Sequence, residues 1–423
     1  MPDFTDNLKP FYDGSAIIQA ERNKSSISVE ELSRHLLSRD NFLERQARIT
    51  HVLEKEPLFS KKQQLNLSRP DRYHLGLARA KALRRLVRKH GWDHEDYRMA
   101  EYLTDEMSPY HLHMTMFATT VREQGTEKQN RYWWPKIESW KILGAYAQTE
   151  MGHGSNVRGL ECRATYDTKS REFVIHSPFL TASKWWNGTL GRTATHAIVV
   201  AQLFLPDPSG GTEFVSHGPH PFVVQIRDIK THHPLEGIVV GDIGPKYGYT
   251  SMDNGYMLFN NFRVPYQALL SRYAKVDRNT GALQKEGHPA VVYGSLTNVR
   301  ANIVMHARLV LARAVTIAVR YTSIRKQFKD RDALDESVPE MAVLDYPTVQ
   351  IRILPLLATT FALHYTGEAM HDLYNSARTA IEKEDFSSMA ELHSVSSGLK
   401  SLCTTYAANG IGMLCEHLSW QRS

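Results

Sequence analysis

The residues with the greatest chemical reach lie between Ala145 and Arg192. The stretch opens AYAQTEMGHGSNVRGLE, passes through TYDTKSREFVIHSP and closes on KWWNGTLGR. Its first part sets an amide, a hydroxyl and a carboxylate in succession (Gln148, Thr149, Glu150) ahead of Gly152, Gly154 and Gly159. Its last part sets Trp185 beside Trp186, just before Gly188 and Gly191. Glycines let backbone N–H groups come close to a ligand. Hydroxyls and amides supply directed hydrogen bonds, and indoles offer broad flat faces. Together these parts suit a flat heteroaromatic with a polar edge, such as a flavin. Taken singly, each has an ordinary use: glycine-rich turns are commonly just turns, and a tryptophan pair beside a strand is commonly core. GHG lacks the spacing and the lysine of a phosphate loop. The pointer to a ligand is the combination, in one order, within one short stretch.

The elements that must hold this stretch read as helices, then strands, then helices. Ser28 to about Leu53 reads as helix, with Ser28 and Glu31 at capping-box spacing. A second helix starts at Ser68-Arg-Pro-Asp and ends at Gly91, with Leu75, Ala78, Ala82 and Leu86 as its apolar stripe. Its Arg84-Arg85-Arg88-Lys89 cluster reads as a solvated basic face. Further helices are expected over Glu95 to Met107, Leu112 to Gln124, and from Thr126 to Pro135. From Lys141 the period changes. CRATY and REFVIHS flank a turn at Asp167 to Ser170, and HAIVVAQLFL and PFVVQI read as buried strands. Residues 206–218 and 272–290 read as loops. Helical period returns over Tyr293 to Arg325, from Asp345 to about Ala377 with a kink expected at Pro355, and from Asp385 onward. The expected fold is α+β: an arm at 1–27, an amino-terminal helical domain at 28–140, a middle antiparallel β-barrel at 141–275, and a carboxyl-terminal helical bundle at 276–423.

A chain of 423 residues has room for two or three cored domains. No apolar run reads as long enough to span a membrane, and the polar start MPDFTDNLKPFYDG has no secretory h-region. Three cysteines, Cys162, Cys403 and Cys415, have neither disulfide nor zinc spacing and fit a reducing compartment. The net charge of +6 is spread along the chain, which suits a polyanionic small ligand without requiring nucleic acid. No metal ligand set is expected.

AYAQTEMGHGSNVRGLE followed by SPFLTASKWWNGTLGRTATHAIVVAQL resembles the flavin-binding core of the peroxisomal acyl-CoA oxidases, the oxidase branch of the acyl-CoA dehydrogenase superfamily. DIGPKYGYTSMDNGYMLFNNFRVP, RYTSIRKQF and LDYPTVQIRILPLLATTFAL resemble later parts of the same family, so the likeness runs from about residue 30 to about residue 410. It implies FAD as cofactor, a fatty acyl-CoA substrate, dioxygen as acceptor and hydrogen peroxide as product, in peroxisomal fatty acid β-oxidation. It implies that Thr149 meets the isoalloxazine ring, with Gln148 at the same edge and Gly188 in contact with FAD. Trp185 and Trp186 would line the ring and its approach. Arg325 and Gln327 would reach the FAD diphosphate and adenosine of the other subunit of a homodimer.

The resemblance also carries an expectation of loss. The family continues into a CGGHGY-like segment and a TFEGEN-like stretch whose first glutamate is the catalytic base. Here the chain reads GMLCEHLSWQRS, so no catalytic residue is assigned and the bundle is expected to be incomplete. In some acyl-CoA dehydrogenases the base lies on an earlier helix, at a place that falls near Val299. Glu416 is the acid of the divergent tail. No SKL-type tripeptide closes the chain. These departures raise a second reading: a non-catalytic flavin- or CoA-binding subunit that pairs with a full-length oxidase.

Overall fold

A computed structural model describes residues 4–8, 13–62, 64–207, 209, 211, 213–286, 294–335, 337–383 and 385–419. The sequence-predicted start of the eighth helix at Tyr293 and the tail at 420–423 lie outside them. Helices α1 (Gly14–Asn23), α2 (Val29–Leu36), α3 (Phe42–Leu53), α4 (Arg69–His90), α5 (His94–Thr104), α6 (Ala118–Gln124) and α7 (Glu127–Glu138) come first. Strands follow: β1 (Gly144–Ala147), β2 (Arg163–Asp167), β3 (Glu172–His176), β4 (Lys184–Asn187), β5 (His196–Pro206) and β6 (Phe214–Gln225). Then come β7 (Ile238–Asp242), β8 (Gly255–Phe259), β9 (Phe262–Pro265), β10 (Ala274–Val276) and β11 (Leu283–Lys285). Helices α8 (Gly294–Ile324), α9 (Pro347–Glu382) and α10 (Met389–Ser419) complete the order. The chain divides into two units, Met1–Ser38 with Tyr293–Ser423, and Arg39–Val292.

In the first unit, α8, α9 and α10 share one core. Ala301, Val304, Ala307, Leu311, Val315 and Ala318 recur every three or four residues along α8 and meet Ile353, Leu356, Leu363 and Met370 of α9. Leu392, Cys403, Ala407 and Leu414 of α10 close it. A Cβ at Gly410 would lie 2.9 Å from Leu356 Cδ2 and 3.0 Å from Leu311 Cδ1, so the leucines of α8 and α9 pack directly onto the glycine. The expected arm contains α1, which starts on an Asp13 side-chain cap and sets Gly14 against Ile324. α9 is continuous and carries Pro355 inside it.

One expectation is corrected on α8. Thr297–Ile324 is, by length and composition, apolar enough to cross a membrane. Arginines at 300, 308, 313 and 320 interrupt the run, which is why the sequence does not read as a span. Arg308 lies 3.5 Å from the Glu368 carboxylate on α9. One face of the helix packs in the bundle core, as for a bundle helix.

In the second unit, α4 has the ends its sequence dictates: Ser68 accepts from the Asp71 N–H, and Gly91 closes it at φ +63°. Its buried stripe differs from the expected one. It passes through Gly76, Arg79, Ala80, Ala82, Leu83 and Leu86, so Ala82 and Leu86 lie in it as expected while Leu75 and Ala78 are only partly buried. Arg79 can lie there because its guanidinium donates to Leu58 O, Ser60 O, Gln64 Oε1 and Glu106 Oε2. Arg84 is likewise withdrawn from the solvated face: it stacks 4.8 Å over Trp140 and donates to Glu138 O, while Arg85, Arg88 and Lys89 stay exposed. The expected single helix from Ser28 is broken between α2 and α3, where Asn41 adopts a left-handed conformation.

The strands form an α+β arrangement with the helices, but the larger sheet is mixed rather than wholly antiparallel. β1 and β2 both run parallel to β5, along successive parts of it, and β6 runs antiparallel to β5. β2, β3 and β9 continue the sheet as antiparallel pairs. The physical reason is the length of β5: eleven residues, nearly all buried, leave room for two partners end to end on one edge. β4, β8 and β7 form a second, antiparallel sheet, and β10 pairs β11 within the expected 272–290 loop. Within the expected 206–218 loop, β6 begins at Phe214, where Phe214 and Val215 resume pairing with Pro206 and Leu205. The core of this unit lies among Tyr166, Phe173, Leu203, Phe222 and Met257.

Candidate functional site at the seam of two sheets

β1 belongs to the six-stranded sheet and β4 to the three-stranded one. The polar turn after β1 pairs antiparallel with the head of β4 and the residues before it: Met151 N–H donates to Ser183 O and Gly152 N–H to Thr181 O, each at 2.9 Å. Trp185 N–H donates to Thr149 O at 2.9 Å, and Glu150 bridges Lys184 in antiparallel fashion. Beneath them the side chains of Glu150 and Lys184 form a fully buried ion pair of 2.8 Å, both at 0 % exposure.

Each charge is satisfied beyond its partner. Lys184 Nζ also donates to Gln148 O at 3.2 Å and to Val200 O, on β5, at 2.6 Å. Glu150 also accepts from Glu161 N at 2.7 Å and Cys162 N at 3.0 Å, at the entry to β2. Such a pair escapes the desolvation penalty only when its remaining donors and acceptors are met, as here. Burial pushes the neighbouring Cys162 thiol up to about 11, so it stays protonated and unreactive.

The pair fixes what surrounds it. Thr149 is half-buried, and among the described residues its hydroxyl has no protein hydrogen-bond partner. Gln148 accepts from Tyr146 OH at 2.9 Å, which leaves the amide NH2 to donate elsewhere. Burial pushes the Tyr146 phenol up to about 12, so it remains a neutral donor. Trp185 is partly buried and stacks on Tyr256, whereas Trp186 is 54 % exposed at the bulge in the β4–β8 pairing. Trp186 has φ +69°, a conformation costing roughly 1–2 kcal/mol for a residue with a Cβ. Asn254 holds it there by donating to Trp186 O at 2.7 Å. Trp186 thus combines a strained backbone with an exposed indole.

The loop after Gly188 is clamped from both electrical sides. Buried Arg227 donates to the carbonyls of Leu190 (3.0 Å), Gly191 (2.8 Å) and Ala194 (2.6 Å). Buried Asp253 accepts from Arg192 N and Thr193 N, both at 2.7 Å, and from Thr193 Oγ1 at 2.9 Å. Burial lowers the Arg227 guanidinium and raises the Asp253 carboxyl, each partly offset by charges and hydrogen bonds around it.

The glycines divide by purpose. A Cβ at Gly188 would lie 2.7 Å from Leu112 Cδ1 and 3.1 Å from Met252 Sδ, so a side chain there would have to displace both. Nothing lies within 4 Å of a Cβ at Gly154, and its φ is ordinary. No neighbour explains the absence of a side chain at that position.

Glu150, His153 and Glu161 bring ligand atoms within 4.8 Å of one another, the spacing of a metal trio. The Lys184 ammonium already supplies the positive charge at Glu150, and a second cation would be repelled there. The trio is therefore not assigned as a metal centre.

Of the sequence-predicted residues, Gln148, Thr149, Trp185, Trp186 and Gly188 lie in the second unit, around the seam. Arg325 and Gln327 lie in the first unit, at the end of α8. There Val343 N donates to Arg325 O at 2.8 Å, and Gln327 N donates to Met341 O at 3.0 Å. Tyr346 OH donates to Gln327 O at 2.8 Å, and the Arg325 residue is exposed. Sequence reasoning missed Lys184, Arg227 and Asp253. The signal for Lys184 is a charge directly ahead of two tryptophans in a strand; Arg227 and Asp253 give none.

The comparisons with known proteins agree with this architecture. The family model "Acyl-coenzyme A oxidase N-terminal" matches residues 28–143, and "Acyl-CoA oxidase, C-alpha1 domain" matches residues 293–417. Peroxisomal acyl-coenzyme A oxidase 1 of Arabidopsis thaliana is 39 % identical over 395 residues, covering 92 % of this chain and 58 % of that protein. The solved structure of Arabidopsis thaliana acyl-CoA oxidase 1 matches 94 % of this chain and 59 % of its own, with a TM-score of 0.87 and 38 % identity. Acyl-CoA oxidase-2 of Caenorhabditis elegans, solved bound with FAD, ascaroside-CoA and ATP, matches 94 % of this chain and 60 % of its own, at TM-score 0.84 and 35 % identity. The chain thus spans about three fifths of the length of these relatives. By its two family-model matches, its identity to these oxidases and its shared fold, the chain belongs to the acyl-CoA oxidase family.

Proposed function

We propose that this chain carries the flavin edge of an enzyme that oxidises fatty acyl-CoA to trans-2-enoyl-CoA, with dioxygen as acceptor and hydrogen peroxide as product. The setting is peroxisomal fatty acid β-oxidation, as the names of the relatives suggest. The observation that carries the reading is the seam itself, where Thr149, with an unpartnered hydroxyl, is tied by its carbonyl to Trp185.

The residues fit FAD. A flat ring with polar edge atoms needs a donor at its edge, an aromatic face and room for the ligand. Thr149 and the Gln148 amide are the donors, Trp185 and Trp186 the faces, and Gly154 leaves open space. Arg325 would meet the diphosphate with a planar fork of donors, and Gln327 the adenosine, across a homodimer. A bound FAD would supply the hydride acceptor and the means of reducing dioxygen. The chain's own part is to bind and orient the ring, and to keep water from the face beside Trp186.

Removal of an α-proton calls for a carboxylate held in a dry site. Val299 on α8 cannot take a proton, and Glu416 on α10 is exposed, so neither is assigned as base. A second reading is a flavin- or CoA-binding subunit paired with a full-length oxidase. The deciding experiment is the visible spectrum of the purified chain with FAD, before and after anaerobic addition of a long-chain acyl-CoA. Bleaching supports the oxidase reading. A flavin that binds and stays yellow supports the pairing reading, and a chain that takes up no flavin overturns the flavin edge in either reading.

A further inference from the structure

We propose that Glu150 and Lys184 are positioning residues for the flavin edge, acting as the joint that holds Thr149 and the tryptophan pair in one geometry across two separately paired sheets. The inference rests on the flavin reading above. The hydroxyl at the candidate edge follows β1 of one sheet, and the indoles sit on β4 of the other. A short antiparallel backbone pairing spans the seam, with Trp185 N–H donating to Thr149 O, Met151 N–H to Ser183 O and Gly152 N–H to Thr181 O, and the buried side chains anchor it to the strands behind. The Lys184 side chain leaves the smaller sheet and ends on Gln148 O and on Val200 O of β5, inside the larger one. Glu150 gathers Lys184 together with the Glu161 and Cys162 N–H groups at the head of β2.

The four attached segments therefore meet at one buried pair, and the backbone joins Thr149 to Trp185 on one side of it and Met151 to Ser183 on the other. A fully buried pair is weak evidence for added stability, since apolar replacements are often as stable. Its directionality is what an apolar pair cannot supply: each bond fixes where a strand end lies. The inference is thus that the pair sets ligand geometry more than it sets stability.

The test compares FAD affinity with thermal stability in the purified full chain. The variants are Glu150→Gln/Lys184→Met and, as a control elsewhere in the core, Phe173→Leu. FAD binding is read by flavin fluorescence, and fold by far-UV circular dichroism. The double variant, neutral and close in volume, is expected to melt within about 5 °C of the wild type. It is expected to bind FAD on the order of tenfold to a hundredfold more weakly. Phe173→Leu is expected to lower the melting temperature and leave FAD affinity within about twofold. If the double variant does not fold, Glu150→Gln/Lys184→Gln, which keeps polar groups on both sides, carries the same comparison. A folded double variant with FAD affinity within about twofold of the wild type overturns the positioning role and leaves the flavin reading standing. A wild-type chain that binds no FAD overturns the flavin reading and the positioning role with it.

Discussion

Trp185 donates its backbone N–H to the Thr149 carbonyl at 2.9 Å, and this bond crosses from a three-stranded sheet to a six-stranded one. The expectations below follow from that seam and from the buried groups around it.

Breaking the ion pair on one side should be far worse than neutralising both. Lys184→Met leaves the Glu150 carboxylate at 0 % exposure without its counter-charge, at a cost of about 3–5 kcal/mol. Urea unfolding of the single and double variants checks this. A single variant as stable as the double would mean that water reaches the site.

Thr149→Val should leave stability almost unchanged, because no protein hydrogen bond to the hydroxyl is lost. FAD affinity should fall by roughly threefold to tenfold, the net worth of one hydrogen bond. Titration of the variant with FAD beside a thermal melt gives both numbers, and unchanged affinity would remove Thr149 from the ring edge.

Trp186→Gly separates strain from recognition. The change relieves a left-handed backbone at φ +69° and adds freedom to the unfolded chain, two effects of about 1 kcal/mol that oppose each other. Stability should therefore shift by less than about 1 kcal/mol while FAD binding weakens. Equal FAD affinity in the variant would assign the exposed indole some other role.

Two glycines should respond in opposite ways to alanine. Gly188→Ala drives a methyl against Leu112 and Met252 and should cost about 1–3 kcal/mol. Gly154→Ala meets no protein atom and should be within about 0.5 kcal/mol of the wild type when FAD is absent. Melts of the two apo variants decide it.

Acid should weaken the second unit between about pH 6.5 and about pH 4. His113 and His196 are each pushed down from 6.5 to about 4 by burial. His113 accepts from Gly144 N on Nδ1 while Nε2 faces Ile137 O, an arrangement for the neutral ring. In that window the unfolded chain binds protons that the folded chain does not, so stability is full above about 6.5 and falls with falling pH. Each histidine contributes on the order of a few kcal/mol. Urea midpoints at several pH values check the slope, and His196→Leu should flatten it by about half. A midpoint independent of pH in that window would mean that the rings are hydrated.

The site was partly legible in the sequence. The order of helices, strands and helices followed from a change of hydrophobic period, and the caps at Ser68 and Gly91 from residue type alone, because both depend on local backbone chemistry. The stretch from Ala145 to Arg192 showed its candidate chemistry for the same reason: amide, hydroxyl, glycine and indole are properties of residues. Pairing was not legible. That β5 takes two parallel partners on one edge depends on which strand ends meet, and periodicity carries no such information. Arg79 fell in a buried stripe because carbonyls from residues 58–60 came to it, and Arg227 was buried because a loop's carbonyls faced it. The sequence by itself determined the family, the element order and which residues carry amide, hydroxyl and indole groups. Only the tertiary structure decided that Thr149 and Trp185 touch across two sheets and that Glu150 and Lys184 share one dry pocket, because a buried charge is tolerated only where distant segments supply its partners.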